Sequence, residues 1–478
     1  MRIHGLGARG FWGDELDSLD FSAPSFLHIW IGPYWDYHPP LYYAILHIWI
    51  AIFGYSEVAV RLPSVLFGIV SVWLAWDVGR RLLGPAAGLA GAFGVALIPV
   101  HLLQGQDARM YTLLTAVALL SVRQMLSLLT RPSVGRLVGY VIATAALCYT
   151  QPVGPVYVLA ENVGWLAFGL TCRGVHRRNL AWWIAAQSFV VVIYIPWAVV
   201  QFHFWGKLQG TFWVHDRSIS TNLFLLIGMF AGGGTYKAAY VLAPLLTVAA
   251  AIGIAGGLRP ATWRNTPEIA RSTFLVLILA ALPPVIFAVV SILSQPVFVS
   301  RLFLPSSIGA YWLAGAGTAR LPARWAKVAF LVAGLFVASE GLQFGAGLRP
   351  AWLTTDYRAA FEALARQNPK VNAIYLQGWV SARQYLLRAA RLAGTDPARL
   401  PPIITSRVPQ LEEAMRDFCT PGARQTLLVV AVADEPMPYW HLVSGPEYRA
   451  ILHHAGLAHA AWVPLDGRVV ANLWQCEK

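Results

Sequence analysis

Apolar runs of membrane-crossing length alternate with short polar turns along this chain up to about residue 349. A spanning helix needs about 20 apolar residues, within a range of about 17–25. On that measure the pattern predicts about ten spans, near 60–80, 86–104, 108–129, 137–151, 153–171, 180–201, 236–257, 272–294, 302–318 and 327–346. The fourth is short, and Gln151-Pro152 marks its break from the fifth, because proline ends a helix more readily than it continues one. Residues 39–54 (PPLYYAILHIWIAIFG) are apolar but short for a span. They predict a helix lying at or dipping into the membrane interface. Pro39-Pro40 would start it, since a first helical turn tolerates proline, and its Trp and Tyr residues suit headgroup depth. From residue 350 the pattern turns to ordinary charge, proline breaks and alternation. It predicts helices near 356–367, 380–393 and 409–418, and strands near 371–376, 425–432 and 459–474. The fold class is therefore an α-helical polytopic membrane protein over 1–349 with a small C-terminal α/β domain over 350–478.

Charge orients the spans. Arg80-Arg81, Arg131 with Arg136, Arg173 with Arg177-Arg178, Arg259 with Arg264 and Arg271, and Arg320 with Arg324 and Lys327 fill alternate turns, and the one acid among them is Glu268. The positive-inside rule puts these turns in the cytoplasm. The other loops, the N-terminal segment and the C-terminal domain then lie outside, on a cell (inner or plasma) membrane. Composition agrees: 57% of residues are hydrophobic and 12% charged, against about 25% charged in soluble domains. A net charge of +13 spread over short turns makes no continuous basic face, which excludes a nucleic-acid partner. Residues 1–12 contain no apolar core of a cleavable signal peptide. The C-terminal region has no glycine-rich phosphate loop, and the chain shows no internal repeat. Of four cysteines, Cys148 and Cys172 lie in or beside spans. Cys419 and Cys476 share the polar C-terminal region, where a disulfide and two separate thiols fit equally.

The loops without arginine clusters carry the unusual chemistry. Asp14-Glu15, with Asp17 nearby, lies in FWGDELDSL ahead of the interfacial helix. A carboxylate there can take a proton from an acceptor hydroxyl or bind a divalent ion; a solvated acidic loop has the same spelling. His38 before Pro39-Pro40-Leu41 suits a phosphate or sugar contact, though a structural role at a helix start is the commoner use. Glu57 and Arg61 stand at ion-pair spacing, which favours a structural pair. Gln106-Asp107-Ala108-Arg109-Met110-Tyr111 joins two spans, and ionisable groups at membrane depth usually have a function or a partner. Arg109 fits a phosphate, as does Arg301 in SQPVFVSRLFLP; mutual neutralisation with Asp107 and snorkelling to the headgroups are the plainer readings. The loop 202–235 carries His203, Trp205, Lys207, Trp213, His215, Asp216 and Arg217. Its aromatic and polar mixture suits a sugar ring and an interfacial belt alike.

Taken together these residues resemble the polytopic GT-C glycosyltransferases. The likeness is to the bacterial family related to protein O-mannosyltransferases and lipid A aminoarabinose transferases, family 39-like. It is carried by Asp14-Glu15, His38-Pro39-Pro40-Leu41-Tyr42-Tyr43, Ser56-Glu57 with Arg61-Leu62-Pro63-Ser64, Gly79-Arg80-Arg81-Leu82 and Gln106-Asp107-Ala108-Arg109-Met110-Tyr111. Arg301 with Leu304-Pro305 matches more loosely, and Asp356-Tyr357-Arg358 opens the C-terminal domain. The resemblance implies inverting transfer of a sugar from a polyprenyl-phosphate donor to an acceptor hydroxyl on the extracytoplasmic face. The acceptor would be a lipid, a polysaccharide or a protein. It implies Asp14 as catalytic base, with Glu15 supporting it or helping to hold a divalent metal ion. His38, Gln106, Asp107, Arg109, Tyr111 and Arg301 are the implied substrate-binding residues. Such proteins carry a membrane helix before the Asp-Glu loop, whereas this sequence starts inside that loop, and Met1 to Gly7 reads like the tail of that helix. The expectation is a natural start further upstream, or a truncated and impaired copy. A transporter or flippase of a lipid-linked sugar would place its ionisable groups near the midplane and often show repeats; a scaffold would be indifferent to Asp14→Asn.

Overall fold

The computed structural model describes residues 2–31, 38–171, 175–208, 218–231, 236–294, 296–325, 357–367, 371–377, 380–406, 418, 426–432, 457–466 and 469–476, with scattered positions between 328 and 339. The chain divides into two compact units: Met1–His4, Trp30–Gly54 and Ala59–Arg349 form the first, and Gly5–Ile29, Tyr55–Val58 and Pro350–Lys478 the second.

The first unit is helical. Its elements are α3 (Leu41–Phe53), most of α4 (Glu57–Leu83), α5 (Pro85–Leu97), α6 (Pro99–Gly105), α7 (Tyr111–Thr130), α8 (Val134–Cys148), α9 (Gly154–Thr171), α10 (Val175–Leu208), α11 (Ile219–Ala231), α12 (Tyr236–Leu258), α13 (Pro260–Asn265), α14 (Pro267–Leu293) and α15 (Leu304–Thr318). Among the described residues α4, α7, α14 and Leu180–Trp205 within α10 are long and apolar enough to cross a membrane. Helices α5 and α6 are apolar enough only when taken together and meet at a 56° bend, the shape of a broken span or a re-entrant loop, and α3, α8 and Leu242–Leu258 are shorter apolar helices. The expected unbroken span 86–104 is thus broken at Ile98, whose ψ of 128° is extended because Pro99 follows it. Helix α11 occupies part of 202–235, expected as loop. The predicted span 327–346 falls mostly outside the described residues.

Helix α7 is buried on nearly every side from Tyr111 to Val122, as expected of a helix apolar all round. Helix α15 is likewise buried and packs against α12, α5 and α14. Small residues permit this. A Cβ at Gly317 would strike the Ala249 carbonyl, and one at Gly253 the Leu313 carbonyl, the close backbone approach by which membrane helices associate.

Prolines inside spans orphan the carbonyl four residues earlier, and three of these carbonyls are met by side chains. Pro63 leaves Ala59 O, which accepts the Trp49 indole N–H at 2.9 Å. Pro99 leaves Val95 O, which accepts a guanidinium N–H of Arg2. Pro283 leaves Leu279 O, which accepts the Ser306 hydroxyl at 3.1 Å. Arg2 also donates to His101 O at 2.6 Å. Burial pulls its guanidinium down to about 10, so it stays charged at neutral pH.

The second unit holds α1 (Gly13–Ser22), α2 (Phe26–Ile31) up to Ile29, the start of α4, helices α16 (Tyr357–Gln367) and α17 (Val380–Leu392), and five strands. These are β1 (Ala373–Gln377), β2 (Ile403–Ser406), β3 (Thr426–Val432), β4 (Leu457–Asp466) and β5 (Val469–Cys476), in sheet order β2-β1-β3-β5-β4. Strand β1 lies parallel to β2 and β3, while β5 is antiparallel to β3 and β4. The single strand expected over 459–474 is therefore a β4–β5 hairpin, and β2 had no sequence forecast. The helix expected over 409–418 lies outside the described residues apart from residue 418. Helix α17 turns Tyr385, Leu386, Ala389 and Ala390 inward, a 3.6-residue face. Cys476 is disulfide-bonded; Cys419 lies outside the described residues.

Candidate active site

The predicted residues fall into two groups, one within each unit. In the second unit Asp14 and Glu15 open helix α1, where acidic side chains favour the positive end of the helix. Their environments differ. Glu15 is fully buried and its Oε2 accepts the Trp12 backbone N–H at 3.3 Å, the return half of a capping arrangement. Asp14 is half-buried. The interior neighbours Leu16 and Leu19 fix the helix rotation, so the adjacent carboxylates differ: Glu15 closes the helix start, while Asp14 is half-buried with its Oδ2 shielded from solvent.

The segment before α1 is fastened within its own unit. Arg358 donates to Gly7 O at 3.1 Å and Ala8 O at 2.8 Å. Phe11 is fully buried between the rings of Tyr55 and Tyr385, and its N–H donates to the Tyr385 hydroxyl at 3.1 Å. That hydroxyl donates to Glu57 Oε1 at 2.9 Å. Glu57, 3% exposed, also meets Arg388 Nη2 at 2.8 Å and Arg358 Nη1 at 3.5 Å. The side chain paired with Arg61 on sequence spacing is thus a hub for two arginines and a tyrosine of the C-terminal segment.

In the first unit, motifs far apart in sequence meet. Ser64 donates its hydroxyl to Arg109 O at 3.2 Å, so Tyr42 OH, 3.2 Å away, is the donor to Ser64. The Arg109 N–H donates to Asp107 O at 2.8 Å, and Asp107 and Arg109 are both buried. The Arg301 guanidinium carbon lies 5.2 Å from the centre of the Tyr111 ring, a cation–π contact. Segments 42–43, 61–64, 106–111 and 301–305 are therefore one packed assembly carrying three arginines, Arg61, Arg109 and Arg301. The side-chain amide of Gln106 fastens the chain's first residues, donating to Arg2 O at 3.1 Å and His4 O at 3.0 Å. His38 is half-buried in the turn before α3. In the loop 202–235, His203 and Trp205 are exposed; Trp213, His215, Asp216 and Arg217 lie outside the described residues.

Among the described residues no group of three or more His, Cys, Asp or Glu comes together to hold a metal ion. Asp14 and Glu15 gain no third ligand there, and Glu15 is committed to Trp12. Two carboxylates escaped sequence reasoning. Glu161 in α9 is buried and accepts the Tyr140 hydroxyl at 2.7 Å; Asp77 in α4 is buried among arginines. Each is an acid inside an apolar run, the signal that should have found them.

The family model for dolichyl-phosphate-mannose-protein mannosyltransferases matches residues 37–198, a stretch that includes His38 and the 106–111 motif. The structure of ArnT from Cupriavidus metallidurans is similar in its apo state at a TM-score of 0.56 and 16% identity, covering 98% of this chain and 95% of that one. The same protein bound to undecaprenyl phosphate gives 0.57 and 16%, over 98% and 95%. The Archaeoglobus fulgidus oligosaccharyltransferase, in complex with Zn and sulfate, gives 0.54 and 11%, over 98% of this chain and 72% of that one. No curated protein matches the chain. The fold is thus that of a GT-C glycosyltransferase.

Proposed function

We propose that this protein transfers a sugar from a polyprenyl-phosphate donor to an acceptor hydroxyl on the extracytoplasmic side of a cell membrane, with inversion at the anomeric carbon. The acceptor oxygen attacks C1 of the sugar, the C1–O bond to phosphate breaks, and polyprenyl phosphate leaves. The hydroxyl proton passes to Asp14. A phosphate leaving group needs no general acid, whereas the hydroxyl does need a base and alignment. Arg109 and Arg301 are the cations that meet the charge growing on the departing phosphate. Glu15 holds the start of α1, and Gln106 holds the chain leading toward it. The arginine-rich turns set the orientation. The observation that carries the reading is the assembly of Tyr42, Ser64, Arg109, Tyr111 and Arg301 from four separate segments.

The test is turnover of radiolabelled polyprenyl-phosphate sugars by the protein in lipid nanodiscs, with hydrolysis or transfer as readout. Asp14→Asn is expected to cost about 10²–10⁴-fold, the usual worth of a general base. A mutant as active as the parent would remove Asp14 from the chemistry. Consumption of no donor by the parent would favour a scaffold or a transporter.

A further inference from the structure

The structure assigns a second site to this protein: a binding place for the phosphodiester headgroup of one anionic diacyl phospholipid, at the arginine-rich end of α4. It is independent of the transferase reading.

Asp77 is 2% exposed and is met by three guanidiniums: Arg80 at 2.6 Å, Arg81 at 2.8 Å and, from α7, Arg123 at 3.0 Å. No other carboxylate pairs with these three among the described residues, so two positive charges remain. The C-terminal end of α4 offsets about half a charge, which still leaves a cationic surplus. The guanidiniums are 40%, 41% and 27% exposed. Asp77 meets one nitrogen of each, while every guanidinium carries five donors in a planar fork that matches phosphate. Two are fixed a second time, by aromatic rings. Arg80 Cζ lies 4.3 Å from the centre of the Trp76 ring, and Arg123 Cζ 5.3 Å from that of Trp73. Arginines held from below by a buried acid and from the side by indoles lose little freedom on meeting an anion, which is what separates a built site from snorkelling side chains.

The apolar surface beside the charges says what kind of anion fits. Leu66, Ile69, Val70 and Trp73 are exposed along α4, and their spacing of three, one and three residues makes one stripe. On a membrane span that stripe faces acyl chains. It runs into Trp76, 37% exposed, and then into Arg80. An apolar track that ends at indoles and surplus guanidinium charge is complementary to a diacyl lipid with a negative headgroup. Trp and Tyr favour that boundary, and basic pockets between membrane helices select anionic headgroups.

The experiment is native mass spectrometry of the full protein released from nanodiscs of phosphatidylcholine mixed with phosphatidylglycerol. The parent is expected to retain anionic lipid in preference to phosphatidylcholine. Arg80→Gln and Arg123→Gln should each weaken that retention about five-fold, from roughly 1 kcal/mol per arginine near a membrane surface. Arg80→Lys keeps the charge but loses the fork and is expected to fall between. Because Asp77 keeps two guanidiniums in each variant, folding should hold, and monodispersity in detergent checks it. Trp73→Ala leaves Asp77 and its ion pairs in place and should also reduce retention. Equal retention of the two lipid classes by the parent, or unchanged retention in all four variants, would overturn the assignment. Displacement of bound lipid by millimolar inorganic phosphate would overturn the lipid assignment in favour of a simple anion site.

Discussion

Replacing Glu57 by glutamine tests the hub of the second unit. The substitution keeps size and one acceptor oxygen and removes the charge. Arg388 and Arg358, 31% and 24% exposed, then share a neutral amide whose NH2 group repels one of them. Removing one partner of a buried ion pair costs about 3–5 kcal/mol; the partial exposure of both arginines lowers this to about 2–4 kcal/mol, since solvent takes up some of the orphaned charge. The Tyr385 hydroxyl loses its charged acceptor, and with it the rigidity of its bond to the Phe11 N–H. Phe11 lies three residues before Asp14, so the effect should appear in the segment that presents the base. Hydrogen exchange followed by mass spectrometry reads it directly. Peptides from 5–22 and 380–392 are expected to exchange about 30- to 700-fold faster, a tenfold change per about 1.4 kcal/mol, while α7 in the first unit stays protected. Tyr385→Phe, which cuts only the bridge, should loosen 5–22 by less. Unchanged exchange in both variants would refute the reasoning, because the pairs would then be surface contacts of no consequence.

The split between the neighbouring carboxylates gives a second expectation. Glu15→Gln retains the acceptor for the Trp12 N–H and should keep donor turnover within about ten-fold of the parent, against the 10²–10⁴-fold loss expected of a missing base; the reverse ranking would move the base to Glu15. Trp49→Phe removes the donor to Ala59 O and should destabilise the protein by about 1–3 kcal/mol, the cost of a buried carbonyl left unmet. Aggregation on heating would then begin at lower temperature, and an unshifted onset would mean that water or a headgroup replaces the indole.

The helical unit was largely legible because long apolar helices declare themselves: α4, α7, α10 and α14 reach spanning length close to their expected places, and α12 and α15 lie near theirs without meeting that measure. What escaped was local or long-range. The bend at Pro99 was readable from the proline, but the apolar run continues through it and hides the break. Helix α11, at 13 residues, was too short for a span window, and β2, at four residues, carries too little pattern to stand out. The candidate site divides similarly. Asp14-Glu15 shows in the sequence as a polar island ahead of the first apolar run, and the 106–111 motif as one between spans. The partners of Glu57 do not, since Tyr385 lies 328 residues away and no spacing rule reaches so far. Asp77 and Glu161 were visible as lone acids in apolar runs, where the surrounding hydrophobicity masks them as parts of spans.

The three proline-orphaned carbonyls also impose an order on synthesis. When α4 leaves the ribosome, Trp49 has already been made, and when α5 follows, Arg2 has long been available. Leu279 is the exception, for its donor Ser306 comes 27 residues later. Helix α14 therefore enters the bilayer with a carbonyl that nothing upstream in this set can meet, and lipid offers no substitute. Its settled form waits for α15, so the two are expected to insert as a pair, and a chain halted after Leu293 should integrate less completely than one halted after Thr318.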